Sequence, residues 1–94
     1  MPSYLVETFL ARGRAGDVAR AGRERRARSA AKELTHGTKR VCFERSIYVP
    51  EDEICFFVFD APSSRDAALA AHLAGLDPLR VVEAVSSELE KEEQ

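Results

Sequence analysis

Three charged residues interrupt apolar rows in segments rich in β-formers: Glu7 between Leu5 and Phe9, Arg45 between Phe43 and Ile47, and Glu83 between Val81 and Val85. In a strand, each shares a face with its two apolar neighbours. If Glu7 and Glu83 lie on adjacent strands, they sit close together in a partly apolar setting. There they either share a proton, one carboxyl titrating high, or hold a cation between them. As catalysts, Glu7 or Glu83 would act as general base or acid and Arg45 would orient an anionic substrate. The competing reading leaves all three on strand edges or a solvated face, the carboxylates paired with Arg45. His72 is the fourth candidate. It shares an apolar stripe with Leu69, Leu73 and Leu76, where a histidine is either a packed side chain bonded to backbone or a metal ligand.

The elements that must position these groups are readable in outline. YLVETFL (4–10) is a first strand. Gly13 and Gly16 break it, and Asp17 suits the opening turn of a helix running to Leu34. Val18, Ala27, Ala30, Ala31 and Leu34 give that helix a thin apolar stripe, and Gly37 closes it. KRVCFERSIYV (39–49) and EICFFVFD (53–60) are a second and third strand joined by a tight turn. With the turn near Pro50 and Glu51, paired positions sum to about 101, which sets Cys42 opposite Phe59 and Cys55 opposite Ser46. Ser63 and Asp66 form a weak capping box for a second helix, whose apolar face is Leu69, His72, Leu73 and Leu76. Gly75 and Pro78 end it, and LRVVEAV (79–85) is the fourth strand. One domain spans residues 1–86, and residues 87–94 are an acidic tail.

The order β-α-β-β-α-β defines an α+β, ferredoxin-like arrangement: an antiparallel sheet ordered 4-1-3-2 with both helices on one face. The third strand is then central, yet it is apolar without a break from Ile54 to Phe59. Helices cover one of its faces. The simplest cover for the other is a second copy of the same sheet about a two-fold axis, as in the dimeric α+β barrel proteins. The expected partner is the chain itself.

Composition narrows the function. At 94 residues with 45% hydrophobic and 32% charged content, the chain is a single globular domain with no apolar run long enough to span a bilayer. No secretory signal is visible in MPSYLVET, so the expected location is cytoplasmic. The net charge of −2 conceals a split. Residues 12–40 hold ten basic against three acidic groups, a net of +7, and residues 41–94 hold four against twelve, a net of −8. An arginine-rich helix in this fold invites an RNA-binding reading. The third strand, however, lacks the glycine and basic residues with which such domains stack and read bases, so nucleic acid is not the expected partner. Cys42 and Cys55 read as two buried, reduced thiols. No phosphate loop, nucleophile elbow or HExxH motif appears, so an enzyme here would work by acid–base chemistry alone.

The segments YLVETF, RSIYVPEDE, the strand running into FDAP, and AHLAGLDPLRVVEAV resemble a family of small, poorly characterised ferredoxin-like proteins that includes nickel-binding members. The matching positions are Glu7, Ser46, Asp52, Ala61, Pro62, His72, Gly75 and Glu83. The resemblance implies a dimeric ferredoxin-like fold and a divalent metal such as nickel, held by His72 with Glu7 and Glu83. Two departures remove potential ligands: Phe43-Glu44-Arg45-Ser46 lacks the family's histidine, and Phe57 stands where a cysteine is common. Such a site would draw further ligands from the partner subunit. The expected function is therefore a small homodimeric ligand-binding protein. The alternative is a cofactor-free enzyme of the dimeric α+β barrel kind, an isomerase, cyclase or monooxygenase.

Overall fold

A computed structural model describes residues 1–86; the expected acidic tail, 87–94, lies outside the described residues. Four strands and two helices alternate as expected: β1 (Ser3–Phe9), α1 (Arg14–Leu34), β2 (Cys42–Val49), β3 (Ile54–Asp60), α2 (Ser64–Leu73) and β4 (Arg80–Ala84). The sheet order is β2-β3-β1-β4, with every neighbouring pair antiparallel. This is the ferredoxin-like topology with β3 and β1 central.

One face of the sheet carries the core. Tyr4, Val6 and Thr8 of β1 lie opposite Phe59, Phe57 and Cys55 of β3, and all six are buried. Burial of each phenylalanine contributes roughly 1.5–3 kcal/mol. Both helices meet this face through alanines: Ala27, Ala30 and Ala31 from α1, and Ala67, Ala70 and Ala71 from α2. Small helix residues against large sheet residues let the two layers approach closely without voids.

The alanine stripe corrects the expected face of α2. Leu69 and Leu73 are 42% and 49% exposed, and His72 is exposed with them. Positions 67, 70, 71 and 74 have the same helical spacing as 69, 72, 73 and 76, and it is the alanine set that packs on the sheet; of the expected face only Leu76, past the end of the helix, is buried, at 2% exposure. Val18, expected on the buried stripe of α1, is likewise exposed, although Ala27, Ala30 and Ala31 are buried. β1 ends at Phe9 and Gly13 caps the helix, but Gly16 is no part of the break between them. It sits inside the first turn of α1, pressed against the Ala11 carbonyl, where any side chain would collide with backbone.

The end signals of α2 work as read. Ser63 accepts from the Asp66 N–H at 3.2 Å, and its hydroxyl donates to the Asp66 carboxylate at 3.0 Å. Lys39 lies 3.0 Å from the same carboxylate and holds the Asp66 pKa below its ordinary value. At the other end, Gly75 adopts φ 68°, and the N–H groups of Gly75 and Leu76 donate to His72 and Ala71, closing the last turn.

Three arginines of α1 tie it to its surroundings. Arg20 donates to Ser46 at 3.0 Å, and its guanidinium carbon lies 5.6 Å from the centre of the Tyr48 ring. Arg23 donates to the Phe9 carbonyl at 2.9 Å and Arg26 to that of Ala74 at 2.8 Å. Three of the seven basic residues of this helix thus join α1 to the sheet and to the end of α2.

Candidate functional site: the open face of the sheet

The β2–β3 hairpin decides what reaches the uncovered face, and its register departs from the expected one. The turn takes four residues, Pro50 to Glu53, with Glu53 at φ 53°, so Val49 pairs with Ile54. A β-bulge then falls between Phe43 and Arg45, leaving Glu44 without a partner. As a result Cys42 lies opposite Asp60, Phe43 opposite Phe59, and Tyr48 opposite Cys55. The extra residue switches alternation. Phe43 faces the helices, its ring 5.5 Å from Phe59 and 6.1 Å from Phe57, whereas Arg45 and Ile47 face the open side. The expectation that Phe43, Arg45 and Ile47 share one face fails at this bulge.

Three rows cross the open face. Arg45, Val58, Leu5 and Val82 form one; Ile47, Phe56, Glu7 and Arg80 the next; Val49, Ile54 and Phe9 the third. Beyond the first row lie Asp60, Ser3 and Ala84, with Glu44 projecting from the bulge. The result is an apolar field bounded at one end by carboxylates and at another by an ion pair. A recess of about 650 Å³ opens where the field meets the carboxylates, lined by Leu5 and Val58 together with Ser3, Glu44, Arg45 and Asp60.

Glu44 and Asp60 form the chemically distinctive pair in this recess. A hydrogen bond between the two carboxyls, then the charge of Asp60, then desolvation push the Glu44 pKa above its ordinary 4.5, while Arg45 pulls it down. The proximity of the second carboxylate makes Glu44 harder to ionise than a free glutamate would be. Ser3 donates to Asp60 at 2.6 Å and fixes its orientation. Glu7, farther along the face, accepts from Arg80 at 2.8 Å, with 20% of its side chain exposed.

The residues singled out in the sequence do not converge within the protomer. Glu83 lies opposite the core residue Tyr4, on the helix side of edge strand β4, and is exposed, so Glu7 and Glu83 occupy opposite faces. His72 is on the outer surface of α2, also on the helix side. Only Glu7 and Arg45 share the open face, and Glu7 already has a partner in Arg80. Among the described residues, no three of His, Cys, Asp and Glu come together as a metal-holding group. Imidazole is a donor that suits nickel, and the open-face recess has none, supplying only carboxylates and hydroxyls beside Arg45. The residues of one protomer therefore do not fit the metal that the family resemblance implies. The thiols also separate: Cys55 is buried, which pushes its pKa up, and Cys42 is exposed rather than buried.

Glu44 and Asp60 were missed because nothing in FERS marks a bulge. The adjacent charges Glu44 and Arg45 were the one available sign, since strict alternation would have sent one of them toward the helices. No helix among the described residues is long and apolar enough to cross a membrane. Comparison with protein-family models, curated proteins and solved structures gives no match to this chain.

Proposed function

We propose that the chain acts as a homodimer whose sheets meet open face to open face and enclose a small-molecule site. What supports this reading is the uncovered apolar field, in which Phe9 is 56% and Ile47 40% exposed. A second copy offers that field a self-complementary cover. Apposition would turn each recess into a chamber in which Arg45, Glu44, Asp60 and Ser3 reach a ligand. A small polar molecule with an anionic group against Arg45 and a hydrogen-bond donor against the carboxyl pair suits those residues. Metal is left out of this reading, because the protomer's donors do not fit it.

A second reading has one observation in its favour, the Glu44 carboxyl whose pKa is raised by Asp60 in the recess that Arg45 also lines. In it the chamber belongs to a cofactor-free acid–base catalyst of the dimeric α+β barrel kind. Glu44 takes the role first given to Glu7 or Glu83, and Arg45 orients an anionic substrate. Side-chain carboxyl NMR separates the two, since a Glu44 that titrates at its ordinary value removes the catalytic reading.

The dimer itself is tested by sedimentation equilibrium. The wild-type chain should sediment at twice 10.4 kDa, and Ile47→Asp should sediment as a folded monomer. A wild-type monomer throughout the measurable concentration range would overturn the proposal.

A further inference from the structure

A second pocket, a shallow one open to solvent with a volume of about 320 Å³, lies at the sheet's outer edge between the last turns of α1 and the start of β2. It is on the helix side and so is independent of the proposed dimer face. Ala31, Val41 and Phe43 give it an apolar lining. Thr35 also lines it, but its hydroxyl is engaged with backbone, accepting from the Val41 N–H and lying 2.9 Å from both the Ala31 and Val41 carbonyls. That bracket joins the end of α1 to β2 and fixes the cavity's shape. Arg28 and Lys32, one helical turn apart, supply its cations. Among the described residues neither has an ion-pair partner. The Arg28 guanidinium carbon lies 5.4 Å from the centre of the Phe43 ring, a contact that positions the cation without consuming its N–H donors.

We infer that this cavity binds an amphipathic monocarboxylate, its apolar body over Ala31, Val41 and Phe43 and its carboxylate against Arg28 and Lys32. Two observations fix the class. The two cations call for an anionic head, and a planar carboxylate matches the guanidinium fork. The volume sets the size: at roughly 30 Å³ per water-sized group, the space holds about ten non-hydrogen atoms. Octanoate is of that size. The site is at the small end of ligand pockets, which begin at about 300 Å³, so the ligand is compact rather than a long lipid.

The test uses octanoate as probe, with octan-1-ol as the uncharged control, on the full chain. Octanoate should bind saturably by calorimetry and shift amide resonances within residues 28–43. Octan-1-ol should bind about tenfold or more weakly, because it lacks the charge-assisted hydrogen bonds. Arg28→Gln/Lys32→Gln, both at exposed positions, should keep the wild-type circular dichroism and weaken octanoate to the level of the alcohol. Three results would overturn the inference: no saturable binding, shifts centred on open-face residues such as Leu5 and Val58, or equal affinity for acid and alcohol. The comparison of the two probes on wild-type protein remains decisive even if the double variant is unstable.

Discussion

On the helix side of the central strands, Thr8, Cys55 and Phe57 are closed to solvent; one residue along on the open side, Phe9, Ile54 and Phe56 are partly or largely exposed. The polar groups differ in what they join. Toward the helices they tie one element to the next: Thr8 donates to the Cys55 carbonyl at 3.0 Å, Tyr48 to that of Leu10 at 3.0 Å, and Ser46 of β2 accepts from Arg20 and donates to Glu24 of α1. Toward the open side they pair with one another, as Glu7 with Arg80, Ser3 with Asp60, and Glu44 with Asp60. Bonds between a strand and the helix or loop packed on it serve the fold. Side-chain pairs around an apolar field leave charge and hydrogen-bonding capacity for something outside the protomer, and this is why the account places function on the open face.

Neighbouring phenylalanines probe this contrast most strongly. Phe57→Ala should cost about 3–5 kcal/mol of folding stability, since it empties a fully buried site. Phe56→Ala should change protomer stability by about 1 kcal/mol or less and act instead on the dimer. Urea unfolding combined with sedimentation reads both quantities, and equal stability losses at the two positions would erase the distinction between the faces. Next in size is Ser63→Ala, which removes the cap that starts α2 over the core. It should cost about 1 kcal/mol in the same unfolding experiment and leave association unchanged.

The smallest expected effect belongs to Glu44. A carboxyl whose pKa is raised in the folded state binds its proton more tightly there than in the unfolded chain. The stability it adds is complete below its ordinary 4.5 and is lost as pH rises through the raised value. Glu44→Gln should remove this slope and, near neutral pH, stabilise the chain by about 0.5 kcal/mol or less, as expected for an exposed position. Thermal melts taken from acid to neutral pH would show it, and an unchanged slope in the variant would mean that Glu44 and Asp60 do not interact.

The sequence was most informative where local chemistry and long-range pattern agreed. Strand order followed from β-α-β-β-α-β and handedness, and Ser63, Asp66 and Gly75 mark the ends of α2 by their own hydrogen bonds. It misled where two readings share a period. The leucine and alanine stripes of α2 have the same spacing, so periodicity alone does not choose between them, and the structure buries Ala67, Ala70, Ala71 and Ala74 with Leu76. Val81 and Val82 leave β4 without clear alternation, so Glu83 was assigned to the wrong face; its pairing with Tyr4 comes from the tertiary register. The bulge at Glu44 reversed the parity of β2 by a single residue, and the carboxyl pair with Asp60 depends on that reversal.

The proposed pairing of open faces is tested most directly by isotope-filtered NMR on a mixture of labelled and unlabelled chains. The account predicts intermolecular contacts among Leu5, Ile47, Phe56 and Val58, and none from Leu69 or Leu73 of α2. Intermolecular contacts confined to the helices, or none at all at concentrations where the wild-type chain is fully folded, would contradict it.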